Sequence, residues 1–146
     1  MGRINVGRVI LGGVVAAIII DASETVAAFV FQAQGEEIMA NLGLAPPSAG
    51  VMVTFVVLGF VMGVALVWLY AAVRPRFGPG PKTAVIVGIF FWLVAYFLPL
   101  LGDNLMGMMP TSMMIAGSSW GLVEICVAAL AGGWIYSEGE APAASA

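Results

Sequence analysis

The sequence predicts an all-α fold, a polytopic membrane protein built as a four-transmembrane-helix bundle in N-in/C-in topology. Three observations predict it. Of 146 residues, 62% are hydrophobic and 9% charged, where a soluble domain carries about 25% charged residues. Four apolar runs, at about 9–31, 51–73, 83–101 and 112–136, each reach the roughly 20 residues a helix needs to cross about 30 Å of hydrocarbon. All five Lys and Arg residues lie either before the first run or between the second and third. That bias places both termini and the 74–82 connection in the cytoplasm. Residues 1–136 therefore form one domain, and the small, polar stretch 137–146 is expected to be a disordered cytoplasmic tail.

The same composition excludes several functions. A net charge of −3 leaves no basic surplus for nucleic acid. One cysteine makes no disulfide framework, and the absence of histidine removes His-dependent triads and His-based zinc sites. No nucleophile–base pair stands out, so neither an enzyme nor a cofactor is expected.

The first run follows Arg3 and Arg8. It resembles a secretory signal at its start, but it is long and carries Asp21 and Glu24, so it is expected to stay as an uncleaved helix. Gly12-Ala16 and Gly13-Ala17 are spaced for close helix contact. In the connection that follows, Gly35–Leu44 contains Glu36, Glu37, Ile38, Met39 and Leu42 and predicts a short amphipathic helix on the outer surface, ended by Pro46-Pro47.

The second run carries Gly59 and Gly63, again spaced for packing, and Trp68 and Tyr70 at its cytoplasmic end, where such rings favour the headgroup level. In the connection, Pro75, Gly78, Pro79, Gly80 and Pro81 are expected to end the flanking helices. Arg74, Arg76 and Lys82 set the topology and are expected to contact anionic lipid headgroups. This turn is not a P-loop, since no Gly-Lys-Ser/Thr leads into a helix.

On the third run, Trp92 and Tyr96 share a face, which packing explains. Met106, Met108, Met109, Met113 and Met114 crowd the outer end beyond it. Thioethers suit Cu(I), which makes them weak candidates for that metal, but packing accounts for them better when no His or Cys supports them. The fourth run holds Gly117-Gly121, Ala128-Gly132 and Ala129-Gly133, and Trp134 and Tyr136 at its end. Cys126 reads as an inert small apolar residue.

Two short repeats link the halves of the chain. Val9-Ile10-Leu11-Gly12 parallels Val85-Ile86-Val87-Gly88, and Trp68-Leu69-Tyr70 parallels Trp134-Ile135-Tyr136. Two hairpins related by an axis along the membrane normal would produce this pattern.

The stretch Val67-Trp68-Leu69-Tyr70-Ala71-Ala72-Val73-Arg74-Pro75-Arg76-Phe77-Gly78-Pro79-Gly80-Pro81-Lys82-Thr83-Ala84, with the Trp120–Glu124 run and a glycine-rich first helix, resembles the central signature of small bacterial four-helix integral membrane proteins. The resemblance spans most of the chain. It implies the bacterial plasma (inner) membrane, and no established activity comes with it.

The intramembrane acids carry the most chemistry. Asp21 lies about 19 Å along its helix from Arg8, and Glu124 about 18 Å from Tyr136, so both reach one depth. Glu24 sits one turn further out on the same face as Asp21, with Ser23 beside them. The first and fourth helices are expected to be neighbours, so that Asp21 and Glu124 converge and the Trp120 indole N–H satisfies Glu124. No Lys, Arg or His reaches that depth, and an ionised carboxylate in hydrocarbon is costly.

Asp21, Glu24 and Glu124 therefore read as proton- or cation-binding groups of a small transporter or channel-like protein, with Ser23 and Trp120 in support. The alternative is a non-catalytic accessory or structural subunit of a larger membrane complex, its acids serving as hydrogen-bond glue. Partners beyond the lipid bilayer would be a second copy or such a complex.

Overall fold

A computed structural model describes residues 3–137; the expected tail lies outside the described residues apart from Ser137. Among the described residues there is no strand. The elements are α1 (Val6–Val30), α2 (Gln32–Asn41), α3 (Ala49–Phe77), α4 (Pro81–Leu105) and α5 (Thr111–Ile135). All but α2 are long and apolar enough to cross a membrane. Their bounds match the apolar runs to within a few residues.

Local chemistry sets the ends. Asn5 caps α1, its side-chain oxygen accepting from the Arg8 N–H at 3.2 Å, and Ser48 caps α3 through Val51 N–H at 3.4 Å. Two expectations about the connections are corrected. α2 starts at Gln32, separated from α1 by Phe31 alone, and it ends at Asn41, with Gly43 (φ 69°) turning the chain before Pro46-Pro47 are reached. Glycine adopts this left-handed C-terminal conformation without a Cβ clash, so the chain turns there first.

Pro75 does not end α3 either. It sits inside the last turn, and the helix stops at Gly78, which has φ 82° and donates to Arg74 C=O at 2.9 Å. One missing N–H so near the end removes a single bond, which the following turn tolerates.

α4 is not uniform. Its Leu93–Phe97 stretch is π-helical, an insertion that shifts the phase of side chains beyond it.

The helices pack α3 on α1, α1 on α5 and α5 on α4. Small residues make the contacts. A Cβ at Gly12 would lie 2.6 Å from the Gly132 carbonyl, and one at Gly63 would strike the Gly13 carbonyl and Ala17. Gly88 lies against Cys126 and Ala129. Gly117 differs, because a Cβ there would meet only Leu100 at an ordinary 3.7 Å.

The end holding Arg3, Arg8, Arg74, Arg76 and Lys82 is called here the basic end, and the opposite end the acidic end, after Glu36, Glu37 and Asp103. The sequence repeat has a structural counterpart at the basic end. Tyr70 and Tyr136 meet edge to face at 6.1 Å. The Tyr70 hydroxyl accepts from Gly80 N–H at the start of α4, and the Tyr136 hydroxyl from Asn5 N–H at the start of α1. Tyr136 caps the end of α5 and Tyr70 lies two turns before the end of α3, and each holds the beginning of another helix.

Candidate functional site

The site lies midway along the helices, where close packing stops. On α1, Asp21 and Glu24 stand three residues apart, which turns their side chains about 60° from each other. Asp21 falls against α3, at a spot where a Cβ on Gly59 would overlap its carboxyl group. Glu24 points toward α4 and α5 instead. It is exposed, whereas Asp21 is half-buried and Glu124 is only 4% exposed.

Tyr96 joins the two glutamates. Its hydroxyl lies 2.6 Å from Oε1 of Glu124 and 3.1 Å from Oε1 of Glu24. Two features bring the ring there. Tyr96 belongs to the π-helical turn of α4, and its ring packs against Gly121 of α5, where any Cβ would strike it. Trp92, one turn earlier, donates its indole N–H to the Ser118 carbonyl at 2.8 Å and fastens α4 to α5 next to the tyrosine.

The donors for the other oxygens are few. Oε2 of Glu124 and Oδ2 of Asp21 are shielded from solvent, and no hydrogen bond within the described residues reaches either. Trp120 does not satisfy Glu124, contrary to expectation: its indole N–H donates to Ser23 Oγ at 2.9 Å. Phe31 packs edge-on against Trp120 at 5.9 Å and roofs this pair.

Proton inventory decides what the arrangement can do. A phenol donates one proton and accepts through its oxygen. With both glutamates ionised, one proton must serve two carboxylates that have no Lys or Arg nearby to balance their charge. With one carboxyl protonated, its O–H donates to the phenol oxygen and the phenol donates to the other carboxylate. The linked chain then has a full set of donors.

The structure thus brings Glu24, Glu124, Ser23 and Trp120 together and lays Asp21 beside them, against Gly59 of α3. Sequence reasoning assigned Tyr96 to packing. A signal was present, since Tyr96 lies about 21 Å along its helix from Lys82, the depth of Asp21 and Glu124. The π-helical turn has no signature in Leu93–Phe97.

The remaining candidates lie elsewhere. Arg74 stands over the Tyr136 ring at 5.5 Å, while Arg76 and Lys82 are exposed. Met106 and Met108 are exposed at the α4–α5 connection. No group of three His, Cys, Asp or Glu side chains is placed to hold a metal ion among the described residues.

No family model, no curated protein and no solved structure matches the chain. The resemblance rests on 67–84, the Trp120–Glu124 run and the glycine-rich first helix alone.

Proposed function

We propose that the chain is a multi-pass protein of the bacterial inner membrane, both termini cytoplasmic, and that it moves protons coupled to transport through Glu24, Tyr96 and Glu124, with Asp21 adjacent. One observation carries this: a hydrogen-bonded chain leads from an exposed carboxyl through a phenol to a buried carboxyl. Such a chain exchanges a proton between two environments without moving a charge through hydrocarbon unassisted. A proton suits the site better than a metal ion, which needs more converging ligands than these.

Vesicle flux tests the reading. The wild type is expected to carry pH-dependent proton flux, and the Asp21→Asn, Glu24→Gln, Glu124→Gln triple variant to insert but lose it. Flux that survives in the triple variant refutes the proposal. Reporter fusions at Gly43 and Gly80 test orientation, with periplasmic activity expected only at Gly43.

A second reading, an accessory subunit or a homodimer, is favoured by α3. From Val51 to Leu58 every residue is exposed, a flank that helices of another chain can cover. Co-purification from native membrane in mild detergent separates a chain that travels alone from one held in a complex.

A further inference from the structure

A cavity of about 310 Å³ opens between α2 and the start of α5. α2 presents Gln34, Glu37, Ile38 and Asn41 to it, the i, i+3, i+4, i+7 spacing of one helix face. Met113 of α5 lines it opposite them, and so does Phe31. That phenyl ring is the one packed against Trp120, whose indole N–H holds Ser23 beside the carboxyl cluster. The cavity and the proton site are therefore in contact through two aromatic rings.

The lining carries one charge, Glu37. No hydrogen bond or ion pair within the described residues engages it. Its neighbour Glu36 lies outside the lining and accepts from Gln32 Nε2 at 2.8 Å. Every Lys and Arg of the chain is at the basic end, so the field at this end has one sign and draws cations. An anion would meet only repulsion. A hydrated metal ion would gain little from Ile38, Met113 and Phe31. A volume near the lower bound of small-molecule sites, with an apolar floor and few polar groups, fits a compact amphipathic cation.

We propose that this cavity binds a small organic ammonium ion, a protonated amine on an apolar body, and that this is the substrate class of the transporter. Glu37 takes the charge, the side-chain oxygens of Gln34 and Asn41 accept the remaining N–H groups, and the body lies against Ile38, Phe31 and Met113. The assignment rests on the transport reading for its meaning, but binding is measured without any gradient.

Titration calorimetry of the full chain in neutral-lipid nanodiscs, with phenethylammonium chloride as probe, tests it. Saturable binding is expected for the ammonium and not for 2-phenylethanol or phenylacetate. Glu37→Gln is expected to weaken binding about tenfold or more, the loss of a charged hydrogen bond. Glu36→Gln, which alters the net charge identically outside the lining, is expected to change it less than about twofold. No saturable binding, equal binding of the alcohol, or equal losses in the two variants overturns the proposal. Glu124→Gln separates the two readings, because it leaves the lining intact. Ammonium binding with no proton flux in the wild type sinks the transport reading alone, and flux without ammonium binding sinks this one alone.

Discussion

The basic half and the acidic half of the bundle are built from the same four long helices, yet they pack in opposite ways. Most buried positions among the described residues lie between the carboxyl cluster and the basic end: Val9 to Ile20, Gly59 to Ala71, Thr83 to Gly88 and Glu124 to Gly133. Ser118 and Gly121 of α5, against Trp92 and Tyr96, are buried just beyond Glu124, and past them no described helix residue is buried. Glycine and alanine account for the first behaviour, because backbones that touch gain dispersion contacts along their length. In the other half, large side chains such as Phe55, Leu58, Leu98 and Ile115 are exposed instead of packed between helices. The carboxyls sit on the boundary, where buried and exposed acids can share one phenol. A rigid half therefore supports a site that a looser half leaves accessible.

Breaking the rigid half should have the largest effect. Gly63→Leu drives a side chain into the Gly13 carbonyl and Ala17, and overpacking of this kind costs about 1–3 kcal/mol or more. Its unfolding midpoint in detergent should fall well below that of Gly117→Ala. That second change meets only open space and Leu100, so it should stay within about 0.5 kcal/mol of wild type. Equal losses would mean that the halves do not differ in tightness.

Tyr96→Phe acts on the boundary itself. It removes the hydroxyl while keeping the ring on Gly121, and leaves Oε1 of the buried Glu124 without its donor. A buried acceptor stripped of its partner costs about 1–3 kcal/mol. Proton flux should be lost with it. The double variant Tyr96→Phe, Glu124→Leu should recover part of the stability and none of the flux, measured by unfolding and by vesicle assay.

Trp120→Phe tests the aromatic pair above the cluster. The hydrogen bond to Ser23 goes and the edge contact with Phe31 largely stays, so the loss should be about 0.6–1.7 kcal/mol, the scale of interhelical hydrogen bonds in membranes. The smallest effect belongs to the open half. Val53→Leu on the exposed flank of α3 should change the unfolding midpoint by less than about 0.5 kcal/mol; a large loss would instead reveal a partner seated on that flank.

The expected helices of 9–31, 51–73, 83–101 and 112–136 were legible because apolar length and charge bias act residue by residue along the chain. The acids were legible for the same reason: three carboxyls in apolar runs stand out whatever surrounds them. Their partners were not. Tyr96 looked like one more aromatic on a packed face, Trp120 was matched to Glu124 on its own helix, and Pro75 looked like a stop.

The sequence by itself determined the all-α class, the four apolar runs, the two ends of opposite charge and the set of acids between them. Only the tertiary structure decided that Glu24 rather than Asp21 meets Glu124, that a tyrosine joins them, and that α2 leaves a cavity over α5. The physical reason is angular. Three residues of spacing turn two side chains about 60° apart, and a π-helical turn in α4 resets the phase of everything after Leu93. Which atoms meet across helices depends on those rotations, and no local pattern in the chain encodes them.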